Sequence, residues 1–298
     1  MPPSCNGENG RVPEGDTVWL AARRLHDALA GRPLTRTDFR IPALATADLT
    51  GETVLEVASR GKHLLIRTDA GHTLHTHFRM DGTWHLYQPD ARWTGGPEWQ
   101  VRVVLANSDW VAVGYRLPVV DLVPTAGESS VVGHLGPDLL GPDWDAARAV
   151  ANIAARPDRE IGPALLDQRN LAGIGNLYKT EALFLSGITP WTAVGDVGDL
   201  DAVVRRAHRL IDANKSHWHQ STTGNLHRGD QHWVFERAGR PCRRCGTPIA
   251  TAEQAEPEQP TYGRICYWCP HCQRGPAPQP VRGSDKRPAP SGHRRNVP

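Results

Sequence analysis

Four cysteines near the end of the chain, Cys242, Cys245, Cys269 and Cys272, form two C-x2-C pairs with 23 residues between them. Each pair lets two thiolates reach one ion from a tight knuckle. Two knuckles complete a tetrahedral four-thiolate site suited to Zn2+. Such a site has no open coordination position, so the expected zinc is structural and performs no chemistry. The competing reading is two disulfides. It is disfavoured because Met1-Pro2-Pro3-Ser4-Cys5 lacks the charged-then-apolar order of a secretory signal, and thiols in a reducing cytosol stay reduced. Cys266 forms a further C-x2-C with Cys269 and so competes as a ligand.

At 298 residues the chain has room for two domains and a small additional module. Hydrophobic residues make up 39%, enough for a core, and no apolar run is long enough to cross a membrane. A soluble, cytosolic, monomeric protein is expected. The formal net charge of +2 does not by itself point to nucleic acid. Arg274, Arg282, Lys286, Arg287, Arg294 and Arg295 face only Asp285 in the last 25 residues, so the rest of the chain is net acidic. Contact with a polyanion must therefore come from local clustering. Residues 274–298, rich in Pro and Gly, are expected to be a disordered basic tail.

Hydrophobic periodicity predicts a helix capped by Asp16 or Thr17, with Val18, Ala21, Ala22, Leu25, Ala28 and Leu29 on one face and Gly31 and Pro33 as its stop. Alternating strand-like runs follow at 54–57, 63–67, 73–78, 83–87, 101–105 and 110–115, with Arg60-Gly61 as a hairpin turn. This half reads as a β-sandwich with a leading helix. Pro118 to Gly141 reads as a linker. The period then becomes helical, with helices expected at 145–153, 162–166, 177–186 and 200–213. Residues 214–232, polar and rich in His, read as a loop.

The segment Leu165-Leu166-Asp167-Gln168-Arg169-Asn170-Leu171-Ala172-Gly173-Ile174-Gly175-Asn176-Leu177-Tyr178 places a Gly-Ile-Gly turn between two helices. Glycine permits positive φ and close backbone approach. The free N–H groups at the second helix start make an anion site suited to a phosphate, to which Asn176 can add a side-chain donor. The plain alternative is an ordinary helical corner.

This string resembles the helix–two-turn–helix of the formamidopyrimidine-DNA glycosylase/endonuclease VIII family. Lys179-Thr180-Glu181-Ala182-Leu183-Phe184 and Gly187-Ile188-Thr189-Pro190 continue the resemblance. Val234-Phe235-Glu236-Arg237-Ala238-Gly239-Arg240-Pro241-Cys242, Cys245-Gly246, Gly263-Arg264 and Trp268-Cys269-Pro270-His271-Cys272-Gln273 resemble its zinc finger, and Pro13-Glu14-Gly15-Asp16-Thr17-Val18 its start. The motifs occur in order over residues 13–273. The resemblance implies an α+β multi-domain fold. Residues 13–125 would be an N-terminal β-sandwich, 126–232 a linker and helix–two-turn–helix domain, and 233–273 a β-hairpin zinc finger. It also implies a DNA glycosylase with an associated AP lyase activity acting on damaged double-stranded DNA.

By the same resemblance Pro13 is the nucleophile. Its secondary amine attacks C1′ of the damaged nucleotide and leaves an iminium, which needs a neutral amine and therefore a free N-terminus. The positive end of the helix lowers the amine pKa further. Glu14 would be the general acid–base group. Without the resemblance, Pro-Glu is a common helix start. Here residues 1–12 precede Pro13, and an amide nitrogen is no nucleophile. Val12 stands where the family has its initiator methionine, so the extension is expected to be untranslated or removed. Pro2 is the rival N-terminal proline, but Pro3 follows it in place of a Glu.

Lys62, which alone reads as a solvated charge at a hairpin, matches the family's essential lysine. Arg264 matches the zinc-finger arginine, whose planar fork suits phosphates flanking an extruded nucleotide. Met80, which alone reads as core, matches the loop residue that fills the space left by that nucleotide. Tyr115-Arg116-Leu117 lacks the Arg-Phe-Gly pattern of the formamidopyrimidine branch, and this favours the endonuclease VIII branch and oxidised pyrimidines. Two alternatives remain: a glycosylase for purine lesions (8-oxoguanine or formamidopyrimidine), and a zinc-dependent DNA-binding protein without catalysis. His75, His77 and the histidines of 214–232 read as solvated or hydrogen-bonded groups, not metal ligands.

Overall fold

The computed structural model describes residues 13–256 and 259–278; the expected extension 1–12 and residues 279–298 of the expected tail lie outside the described residues. The start of that tail is held in place, with Arg274 N–H on Gly187 O at 2.8 Å and Thr189 N–H on Arg274 O at 3.0 Å. The chain opens with helix α1 (Gly15–Leu29). Two four-stranded antiparallel sheets follow. One has the order β2 (Val54–Arg60), β3 (His63–Thr68), β4 (His72–His77), β8 (Val119–Pro124). The other has the order β1 (Arg36–Phe39), β6 (Val101–Ala106), β7 (Val111–Tyr115), β5 (Thr83–Tyr87). Val57, Leu64, Ile66 and Leu74 from the first sheet meet Trp84, Leu86, Val103 and Leu105 from the second. Val18, Ala21, Leu25 and Leu29 of α1 join the same core. Alternate strand residues such as Leu64 and Ile66 or Val103 and Leu105, and the period-3.6 face of the helix, thus converge on one apolar layer.

The α+β architecture and the sandwich with its leading helix agree with the sequence reading, and three local expectations are corrected. Pro118 to Gly141 is not a plain linker. It contains β8, which completes the first sheet by pairing with β4, and the short helix α2 (Ser129–Val132). Pro118 and Pro124 read as breakers in the sequence, yet one precedes an edge strand and the other ends it, where a missing N–H is harmless. Strand β1 was also unread, because four residues with charges at Arg36 and Asp38 carry little periodicity. The tip of the β2–β3 hairpin is Gly61-Lys62, not Arg60-Gly61: Arg60 still pairs with His63, and Gly61 has φ +57°.

Helices α3 (Ala146–Ala154), α4 (Ile161–Leu166), α5 (Asn176–Ser186) and α6 (Leu200–Asn214) pack around Leu165, Leu171, Leu177, Leu183, Val204 and Ile211. Residues 215–232 contain no regular element, Asn214 being the last residue of α6. The C-terminal hairpin, β9 (Ala250–Glu256) and β10 (Gln259–Trp268), is antiparallel and touches both α4 and α5.

One carboxylate ties this module to the helices. Glu181 of α5, fully buried, accepts N–H bonds from Trp233, Val234 and Phe235, each at 2.8 Å, and the hydroxyl of Thr222. Three successive backbone donors on one carboxylate form charge-assisted bonds out of water, where an unmade bond is most costly. Glu181→Ala is expected to destabilise the protein by about 3 kcal/mol or more. Chemical denaturation would measure this, with faster amide hydrogen exchange at residues 233–235.

Candidate active site

The start of α1 is pressed against the turn between α4 and α5. Gly15 N–H donates to Gly173 O at 2.8 Å, and a Cβ on Gly15 would sit 3.0 Å from Gly173 Cα. Gly173 itself has φ +102°, a conformation that glycine tolerates. Asp16 and Thr17 do not cap α1. Glu14 occupies the N-cap position without a side-chain cap bond, and Asp16 accepts from Tyr178 Oη at 2.8 Å and from Gln220 Nε2 at 3.1 Å. Its carboxylate joins α1, α5 and the 214–232 loop, a role the sequence hid behind an ordinary capping residue.

Glu14 is 1% exposed, and its carboxylate reaches across to the start of α5. Oε2 accepts Gly175 N–H at 2.8 Å and Oε1 accepts Leu177 N–H at 2.7 Å. A Cβ at Gly175 would lie 2.5 Å from Glu14 Cδ, so only glycine leaves room for the carboxylate. The anion site foreseen at this helix start is therefore filled by the protein's own acid, where the positive helix end favours it. Asn176 turns away as well: its Nδ2 donates to Ile265 O of β10 at 2.9 Å. It ties the helix start to the strand that carries Arg264.

Lys62 is not free in solvent. Its hairpin is docked by Gly61 N–H on Asp138 Oδ2 at 2.7 Å, by the Arg60–Asp143 ion pair, and by Arg60 Nη2 on Gly136 O at 3.2 Å. Gly61 approaches Ala172 so closely that a Cβ would stand 3.0 Å from the alanine methyl. Lys62 is half-buried. Burial pushes its pKa down; Glu14 and Asp16 oppose that shift and Arg264 adds to it. Burial pushes Glu14 up to about 7, against the pull of Lys62 and the two backbone donors, with Asp16 adding to the rise. Sequence reasoning missed Asp138, which lay inside the supposed linker.

The fold thus brings Lys62 within electrostatic reach of both Glu14 and Arg264, while Pro13, which precedes Glu14 in the chain, is half-buried. Arg264 is exposed on β10. Met80 lies on the β4–β5 loop and is 66% exposed, so it is not a core residue. Arg79 beside it has φ +46°, and Gly82 closes the loop with its N–H on Phe78 O at 2.8 Å.

The Sγ atoms of Cys242, Cys245, Cys269 and Cys272 all lie within 4.8 Å of one another, an arrangement that can hold a metal ion. Tetrahedral thiolates about 2.3 Å from zinc stand about 3.8 Å apart, so the donor set fits that ion. Backbone N–H groups of Arg244 and Cys272 point at the Cys242 and Cys269 sulfurs, both at 3.4 Å. Cys266 is no competitor. It is buried elsewhere on β10, accepting from Lys179 Nζ at 3.1 Å and donating to Gln254 Oε1 at 3.2 Å.

Residues 12–116 match the family model of the formamidopyrimidine-DNA glycosylase N-terminal domain, and residues 135–213 match that of its H2TH domain. A probable endonuclease 8 2 of Streptomyces coelicolor is 56% identical over 282 residues, covering 93% of this chain and 99% of that protein. A DNA-(apurinic or apyrimidinic site) lyase Nei2 of Mycolicibacterium smegmatis is 44% identical over 262 residues, covering 88% and 99%. Among solved structures, a Lactococcus lactis formamidopyrimidine DNA glycosylase, bound non-covalently to DNA containing an AP site, superposes with a TM-score of 0.73. It is 22% identical and covers 88% of this chain and all of that one, a likeness of fold.

A buried acid with a raised pKa leaves a stability signature. Folded Glu14 keeps its proton up to about 7, whereas the unfolded chain releases it near the model-peptide value of 4.5. The native state binds more protons in that interval, so this group's contribution falls as pH rises from 4.5 to 7 and stays lost above. Glu14→Gln is therefore expected to unfold at higher denaturant than the parent at about pH 8, by up to about 3 kcal/mol, and to match it near about pH 4. Urea unfolding at the two pH values would measure the difference.

Proposed function

The chain belongs to the formamidopyrimidine-DNA glycosylase/endonuclease VIII family, and we propose that it is a bifunctional DNA glycosylase/AP lyase of base excision repair that removes oxidised bases, pyrimidines favoured. The observation that carries this reading is the Glu14 carboxylate, buried at the start of α5 beside Pro13 and Lys62 and poised to exchange a proton near pH 7. General acid–base catalysis works best with a group titrating near the working pH.

In the active form Pro13 is the N-terminal residue. Its neutral secondary amine attacks C1′, the base leaves, and an iminium joins protein to sugar. The match to the N-terminal domain model begins at residue 12, which supports Val12 as the position of the initiator. Glu14 handles the proton at the sugar. Lys62, with its ammonium partly stripped of water, contacts phosphate and assists proton transfer at the lesion. The iminium acidifies the neighbouring sugar protons, so β- and then δ-elimination breaks the strand.

DNA lies between the sandwich and the helical domain. Arg264, exposed and free to fork, holds the flanking phosphates. Asn176 supports that strand and offers its remaining amide proton to the same backbone. Met80 fills the space left by the extruded nucleotide. The four cysteines hold one structural zinc that keeps the β9–β10 hairpin, and Arg264 on it, in place. The protein acts as a monomer in the cytoplasm, and among the described residues no helix is long and apolar enough to cross a membrane.

Borohydride reduction in the presence of an abasic duplex tests the mechanism. A chain beginning at Pro13 is expected to give a covalent adduct that disappears in Pro13→Gly. A chain retaining residues 1–12 should give none, and an adduct of equal yield from it would contradict the role of Pro13. Duplexes carrying an oxidised pyrimidine or 8-oxoguanine separate the two lesion classes by their products. Elemental analysis is expected to find one zinc per chain, with Cys242→Ser losing both metal and DNA affinity while Cys266→Ser keeps both.

A further inference from the structure

The outer face of the β2-β3-β4-β8 sheet carries a row of polar side chains that the reaction above leaves unused. His63 stands opposite His77 in the β3–β4 register, and His75 stands opposite Asp121 in the β4–β8 register. His63 Nδ1 lies 2.7 Å from His75 Nε2, and His75 Nδ1 lies 3.0 Å from Asp121 Oδ2. The middle side chain is 4% exposed, whereas Asp121 opens 49% of its own to solvent. At the inner end His63 follows Lys62 directly, and its ring meets those of His77 at 4.8 Å and His134 at 6.0 Å.

The hydrogen bonds determine the tautomers of the neutral array. A carboxylate only accepts, so His75 carries its proton on Nδ1 and accepts at Nε2; His63 then donates from Nδ1 and keeps a lone pair on Nε2. His77 has the opposite tautomer, because its Nδ1 accepts Arg79 N–H at 2.9 Å. Both donors in the chain from His63 to Asp121 point outward. Such a chain takes up a proton at His63 and delivers one at Asp121. The reverse direction would first require both rings to change tautomer.

We propose that His63, His75 and Asp121 form a proton exit from the Lys62 end of the cleft, serving the elimination steps. This inference rests on the glycosylase/lyase reading. In β-elimination a base in the cleft removes the C2′ proton, the C–H electron pair becomes the new C=C bond, and the phosphate leaves with the C3′–O pair. The proton then binds His63 Nε2 while His63 Nδ1–H moves to His75 Nε2. His75 Nδ1–H moves to Asp121 Oδ2, and Asp121 releases it to water. One proton enters, one leaves, and nothing is oxidised or reduced. Burial, followed by the neighbouring His77, His75, His134 and Lys62, holds the His63 pKa at about 3; burial and Lys62 lead in holding His77 at about 4. An imidazolium at His63 is therefore no resting state, and the chain conducts a proton without storing it.

The test uses the chain beginning at Pro13 with a preformed abasic duplex, following single-turnover elimination and the borohydride-trapped adduct. His63→Ala is expected to trap and bind DNA as the parent does but to eliminate roughly tenfold more slowly or worse, with the rate restored as imidazole buffer is raised. Asp121→Asn, whose amide oxygen can still accept His75 Nδ1–H but cannot take up its proton, is expected to slow elimination in the same buffer-dependent way. Variants that eliminate at the parental rate, or a loss that imidazole does not restore, would overturn the proton exit while leaving the glycosylase reading intact. A parent protein that neither traps nor cleaves would overturn the glycosylase reading and the exit with it.

Discussion

The carboxylate of Glu14 on the first amides of α5 is the contact from which the rest of the site follows. It joins the first residues of the sandwich to the helical domain, and it fills a helix start that would otherwise attract an external anion. Gly15 and Gly175 are there because the facing backbone and the carboxylate occupy the space where Cβ atoms would go, and Gly173 because its φ is +102°. The arrangement is costly to an ionised acid. Two amide donors, a helix terminus and Lys62 all favour the charged form, yet burial outweighs them and leaves the group titrating near neutrality.

The same trade recurs around it. Asp16 and Asp138 are each buried and each bonded to groups from other segments: Tyr178 and Gln220 in one case, and Gly61, beside the local Leu140 N–H, in the other. Glu181 does this for the zinc module with three backbone donors. Four buried carboxylates thus hold α1, the Lys62 hairpin, α5 and the cysteine module in register. Hydrophobic packing builds each unit, and these directional bonds set how the units meet. This is the geometry that a site assembled from three units requires.

Much of this was legible in the sequence. The cysteine spacing, the Gly-Ile-Gly turn and the strand alternation each correspond to a local rule, and the structure follows them. Lys62 and Met80 read wrongly in isolation because burial is a tertiary property: a lysine at a hairpin looks solvated until Ala172 and Gly136 close over its turn, and a lone Met looks like core until its loop is seen to project. The backbone amides that flank Asn176, expected to face a phosphate, are taken by Glu14, a residue 162 positions before Asn176 in the chain, which no local pattern could supply. His75, read as solvated or hydrogen-bonded, is hydrogen-bonded, and its partner Asp121 went unnamed because it lay in a segment whose prolines marked it as a linker.

The central claim is that Glu14 is an acid held protonated near neutral pH by burial, and its side-chain carboxyl can be observed directly. Carbon-13 labelling of glutamate, with Glu14→Gln to assign the resonance, would follow its titration by NMR. A midpoint at about 7 is predicted. A midpoint in the ordinary glutamate range, near 4.5, would contradict the account.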